Sequence, residues 1–171
     1  MKRDFLAALI FVASVTGLAG PVLASSAIQT IIVTLPAVDQ ITVTSTISLA
    51  LDLTGGPGSS AVAGSDRSGR LSYTQSSAGQ KKITASVIGP ASNDITLTLG
   101  AAIPGGSQGT STGTITLANG GVIPSSAQDL VTSIRRGAIN NAELTYSVSA
   151  TTTNTPPGDY VFTITLTSAA G

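Results

Sequence analysis

The chain has no histidine, no cysteine and no tryptophan in 171 residues. Each absence excludes a class of chemistry. Without histidine there is no imidazole general base and no serine–histidine triad. Without cysteine there is no thiol nucleophile, no disulfide and no Cys–His zinc site. Charge is scarce too: charged residues make up 9% of the chain, against about 25% in an ordinary soluble domain. Eight Lys and Arg balance eight Asp and Glu. Such a chain lacks the basic footprint of a nucleic-acid binder, so no nucleic-acid partner is expected.

The N-terminus reads as an export signal. Lys2 and Arg3 precede an uncharged, mainly apolar run from Phe5 to Gly20, then Pro21 and Val22-Leu23-Ala24. Small or modest side chains at Val22 and Ala24 suit a signal peptidase, so cleavage is expected after Ala24, with Ala27 a second candidate site. The run is shorter than the roughly 20 residues that span a bilayer. The expected organisation is a signal peptide at 1–24 and one β-sandwich domain at 25–171. No stable transmembrane segment remains after cleavage, and the protein is secreted or extracytoplasmic, at a cell surface or in a periplasm.

What the chain has in abundance is the small hydroxyl. Residues 25–171 hold 21 Ser and 23 Thr, so the surface is wetted by hydroxyls rather than ions. The dominant pattern has period two. From Ile41 to Leu53 apolar residues occupy most odd positions and hydroxyl residues most even ones. This places one apolar and one polar face on a strand. Thirteen residues is long for one strand, so a bend or a switch of sheets is expected near Ser45. The pattern recurs at 95–99, 115–117, 144–150 and 162–166, with fainter copies at 83–87 and from Leu71. Ile28 to Leu35 is a further β-rich stretch closed by Pro36.

The intervening segments carry turn chemistry. Residues 54–69 read as one long connection and 100–113 as another. Asn119-Gly120-Gly121 and residues 155–159 read as sharper turns. The stretch Ser125 to Gly137 departs from the pattern. It has a serine cap, Asp129 in its first turn, Arg135 and Arg136 in its last, and Gly137 beyond. Those signals predict a short helix around 126–136. The expected fold is therefore all-β: a single antiparallel β-sandwich, Ig-like or Greek-key in style, of seven to nine strands with at most one short helix.

Candidate chemistry is sparse. Gly105-Gly106-Ser107-Gln108-Gly109 matches the G-x-S-x-G nucleophile elbow, but no strand–turn–helix context and no histidine accompany it. Lys81 or Lys82 with Ser76 or Ser77 would make a serine–lysine dyad; the lysines also read as the solvent-side opening of a strand. Asp66 and Asn93-Asp94 could supply oxygen ligands, or serve as turn residues bonding their own backbone. Arg67, Arg70, Arg135 and Arg136 are the candidates for an anion patch. Tyr73 is the only aromatic near the loops for a glycan platform, and Tyr146 falls on an apolar strand face. Gly158 and Tyr160 read as a tyrosine-corner packing device. No catalytic residue, metal ligand or cofactor is assigned, and the chain is read as non-enzymatic.

The turn Pro156-Pro157-Gly158-Asp159-Tyr160, with the strand Val161 to Thr167, resembles the ends of several secreted bacterial β-sandwiches. Ser126 to Ile134 and Gly69 to Thr74 are similar to segments of exported proteins of this style. The group includes WxL-type surface domains, spore-coat-U-like proteins and fimbrial subunits. The tryptophan of the WxL motif and the cysteines common in the other two are absent here, so peptidoglycan binding is not implied and no functional residue carries over. The resemblance implies a non-catalytic extracytoplasmic module.

Two readings of function follow. One is a structural protein: a subunit of a surface layer, matrix or pilus-like fibre, partnered by its own copies or by other envelope proteins. In it the segment 25–36, with Ile28 to Leu35 at its centre, either pairs in its own sheet or adds to a neighbour's edge. The other is a ligand-binding or adhesin module using the loops 54–69 and 100–113, with glycans as the candidate ligand.

Overall fold

A computed structural model describes residues 32–33, 37–43, 46–49, 62–90, 94–150, 155 and 158–171. The chain divides into two compact units, residues 1–34 and 35–171. The expected signal peptide, the possible bend at Ser45 and most of the 25–36 segment lie outside the described residues.

Among its described residues the second unit holds nine strands: β1 (Asp39–Val43), β2 (Val62–Gln75), β3 (Lys81–Ile88), β4 (Ile95–Ala102), β5 (Thr110–Ser111), β6 (Thr114–Ala118), β7 (Gln128–Ile134), β8 (Gly137–Ala150) and β9 (Thr163–Ala170). No helix occurs among the described residues. The strands form two antiparallel sheets, one in the order β1-β2-β8-β4-β6 and one in the order β5-β7-β3-β9. From β2 onward every connection passes from one sheet to the other.

Alternation explains most of the strands. In β4, Ile95, Leu97, Leu99 and Ala101 are buried while Thr96, Thr98 and Gly100 are half-exposed. In β9, Thr163, Thr165 and Thr167 are exposed, whereas Ile164 and Leu166, with Phe162 just ahead of the strand, pack against the core. A single core cluster draws on both sheets. Leu71, Tyr73, Leu99, Leu117 and Leu144 come from the five-stranded sheet, and Ile83, Ala85, Leu130 and Ile134 from the other. Burying such side chains is worth about 1.5–3 kcal/mol each.

The expected helix at 126–136 is a strand, β7, paired with β3 and β5. Its register explains the misreading. Between Lys81 and Ile83 β3 advances two residues while β7 spans three, from Ile134 to Val131; between Ile83 and Thr84 β7 again carries one extra. These bulges bury Leu130, Val131 and Ile134 together. An i, i+4 apolar spacing on a bulged strand imitates a helical face. Ser133 sits at φ 57° in the first of these bulges, between Val131 and Ile134.

The two long connections are also shorter than expected. Residues 62–69 belong to β2 and pair with the second half of β8. Their turn chemistry is spent on a bulge between Asp66 and Gly69. There Asp66 Oδ1 accepts from the Ser68 N–H at 2.8 Å and the Ser68 hydroxyl at 2.6 Å. Gly69 is required at this place, because a Cβ would stand 2.6 Å from the Tyr146 ring. Residues 100–102 extend β4 and 110–111 form β5, leaving 103–109 as the connection between them. Of the alternating run from Ile41 to Leu53, Ile41 to Val43 lie in β1. Ile47 and Leu49 beyond it lie outside any strand and pack half-buried against the core.

Candidate functional site

The residues singled out in the sequence are not brought together. Ser107 lies in the 103–109 connection, where its N–H donates to the Pro104 carbonyl at 3.1 Å. Its hydroxyl accepts from the Asn140 N–H at 3.4 Å. Gln108 donates from its backbone to Ala138 at 3.0 Å, so the segment is pinned to the start of β8. The glycines here serve conformation and close packing: Gly106 and Gly109 have φ of 82° and 97°, and a Cβ on Gly109 would stand 2.9 Å from Val131 and Ile134. This G-x-S-x-G is a packed turn.

The serine–lysine dyad is likewise not assembled. Lys81 pairs with Asp39 at 3.0 Å and Lys82 with Asp129 at 3.1 Å. Ser76 Oγ accepts from the Val38 N–H at 2.7 Å, and Ser77 donates to the Gln75 carboxamide at 2.9 Å. Gln75 is buried and returns two bonds, to the carbonyls of Gly79 and Ile134. Asp66 is a turn residue, its carboxyl held below the usual range by the Ser68 hydroxyl and then the Ser68 N–H. Asp94 sits half-buried at the entrance of β4, and Asn93 lies outside the described residues.

The arginines stand in two places. Arg70 donates to the carbonyls of Arg67 and Gly69 at the β2 bulge. Arg135 and Arg136 form the turn between β7 and β8, where Arg136 Nε donates to the Ser76 carbonyl at 2.8 Å. Tyr73 and Tyr146 are both buried, so neither is a platform for a sugar. Burial raises both phenols above the usual tyrosine range, aided at Tyr146 by the Asp66 charge.

One polar cluster was not legible in the sequence. Asp39 on β1, Tyr73 on β2, Lys81 on β3 and Ser168 on β9 meet where the edge of one sheet approaches the edge of the other. Ser168 donates to Asp39 Oδ2 at 3.4 Å, and the Tyr73 and Ser168 hydroxyls are 3.0 Å apart. Asp39 is held below the usual carboxylate range by the Tyr73 hydroxyl, then Lys81 and Ser168, against an opposing cost of burial. A carboxylate engaged by an ammonium and a hydroxyl on one oxygen suits a fastener better than a base. The four residues are scattered from 39 to 168, so no local motif could reveal them.

The outer faces of the sheets are built from hydroxyls. Ser65, Ser147, Thr98 and Thr116 stand in one cross-strand row over four strands of the larger sheet. Among the described residues no group of His, Cys, Asp and Glu could hold a metal ion. Among them no helix is long and apolar enough to cross a membrane. Comparison of the chain with protein-family models, with curated proteins and with solved structures finds no match in any of the three.

Proposed function

We propose that this is a non-catalytic, secreted or cell-surface structural protein, a subunit of an extracellular assembly such as a surface layer, matrix or pilus-like fibre. On this reading the two sheets close on each other as an Ig-like, Greek-key-style β-sandwich after removal of residues 1–24. The resemblance of the C-terminal segment to bacterial surface β-sandwiches supports this reading.

The observation that carries the reading is the uncharged edge of β9, which has no backbone ladder on its outer side among the described residues. Natural edge strands are blunted by charged residues, proline or bulges, because an open row of backbone groups recruits another strand. Among the described residues β9 has a backbone ladder with β3 alone, its other edge meeting β1 through the Ser168–Asp39 bond without a ladder, and the segment Val161 to Gly171 carries no charged residue and no proline. Its outward residues are threonines, which have high strand propensity. The short edge strand β6, with Thr114 and Thr116 exposed, is uncharged as well. Open, uncharged edges on a body wetted by hydroxyls support association between copies.

Electron microscopy of native surface material, with mass spectrometry of the mature N-terminus, tests both halves of the proposal. Ordered assemblies built of a chain beginning at Ser25 are expected. A protein that stays monomeric at high concentration and retains Met1 would overturn it.

A further inference from the structure

The two sheets come together edge to edge between β1 and β9, and no backbone ladder joins them there. The Asp39 cluster closes this seam. Lys81 Nζ lies 3.0 Å from Asp39 Oδ2, Ser168 donates to the same oxygen at 3.4 Å, and the Tyr73 hydroxyl bonds within the cluster. Apart from these bonds β1 is thinly held. Among the described residues it has one sheet neighbour, β2. Ile41 alone among its five residues is not exposed, and Val38 and Val43 are 40% and 38% exposed. The Val38–Ser76 pair of bonds secures the entry to the strand. Ile47 and Leu49 anchor the chain beyond it.

We propose that the Asp39 cluster is a latch on β1: while Asp39 is charged the seam is shut, and when its charge is lost β1 lifts from β2 and β9 as a unit, leaving the rest of the body folded. Charge-assisted hydrogen bonds are roughly twice as strong as neutral ones, so one proton weakens every contact that Asp39 makes. Proteins open in such local units where apolar anchoring is sparse. The titratable and charged groups that bear on Asp39 are Tyr73 from β2 and Lys81 from β3; β9 contributes only the Ser168 hydroxyl. Arg136, from the β7–β8 turn, is directed to the Ser76 carbonyl. Lifting β1 bares the outer edge of β2 from Leu71 to Gln75. The latch thus governs whether a further strand edge is open to a second chain.

Native-state hydrogen exchange on the full chain tests this, comparing wild type with Asp39→Asn and Ser168→Ala. In Asp39→Asn at neutral pH the amides of residues 39–43 and 71–75 that bond across the β1–β2 ladder should exchange roughly tenfold faster, with β4 and the second half of β8 unchanged. Ser168→Ala should give a smaller change in the same residues. Wild type, corrected for intrinsic rates, should reach the Asp39→Asn pattern as pH falls below the ordinary aspartate range. Unchanged exchange at 39–43 in Asp39→Asn would overturn the latch. So would acceleration of all strands together, which would make Asp39 a contributor to global stability.

Discussion

Strand β8 and the β1–β9 seam are held by different physics. β8 has a neighbour on each side, β2 and β4, and buries Ile139, Ala142, Leu144 and Tyr146 in the shared core. Its attachment rests on two backbone ladders and on buried side chains of the core. The seam has no ladder between its two strands and is closed by side-chain hydroxyls, one carboxylate and one ammonium. The contrast teaches that the two sheets have a stable spine and a conditional margin. The spine sets whether the domain folds, and the margin sets which edges it presents.

Substitutions can break or sharpen that contrast, and the largest effect belongs to the spine. Leu144 is fully buried; Leu144→Ala should cost about 2–5 kcal/mol, read as a fall in the denaturation midpoint. Gly69→Ala should cost about 1–3 kcal/mol, because its Cβ meets the Tyr146 ring at 2.6 Å and Leu144 Cβ at 3.0 Å. Its melting temperature should fall even though no contact is removed.

At the margin the effects are smaller. Phe162 is half-buried, so Phe162→Ala should fall below the about 3–5 kcal/mol of a fully buried phenylalanine. Thr163→Ala, on the exposed face, should stay within about 0.5 kcal/mol. Equal losses in the two melting curves would mean that the register of β9 is wrong. Ser133 occupies a left-handed conformation at φ 57°, which costs a non-glycine residue about 1–2 kcal/mol. Ser133→Gly should therefore be neutral or slightly stabilising, and Ser133→Val clearly destabilising.

The smallest effect is the pH dependence of the seam. The folded state lowers the Asp39 pKa, so its contribution is complete above the ordinary value of 3.8 and is lost as pH falls through the lowered one. Asp39→Asn should remove that acid-range component from the opening of β1, read as hydrogen exchange at residues 39–43. On the alkaline side Tyr73 and Tyr146 are shifted upward. Their contribution is complete below the ordinary tyrosine value and is lost as pH rises through the raised ones. Spectrophotometric titration should show two phenols ionising late.

Much of the architecture could be read directly from period-two runs. Ile95 to Leu99 and Phe162 to Leu166 alternate as expected, because a strand buried on one face must alternate. The 62–69 stretch hid its strand, since Gly64, Asp66, Ser68 and Gly69 are turn residues that here serve a bulge. Residues 126–136 imitated a helix because bulges in β7 break the period of two. The absence of imidazole and thiol chemistry was legible at once. Whether Ser107 or the lysines met a partner was not, since that depends on which strands lie side by side.

The sequence by itself determined that the chain is β-rich, hydroxyl-wetted and without histidine or cysteine chemistry. Those properties follow from composition and from the two-residue repeat of a strand, and both are local. Only the tertiary structure decided the strand order, the bulges and the meeting of Asp39, Tyr73, Lys81 and Ser168. Pairing partners are chosen by the competition of all strands for one core, and neighbouring residues carry no record of its outcome.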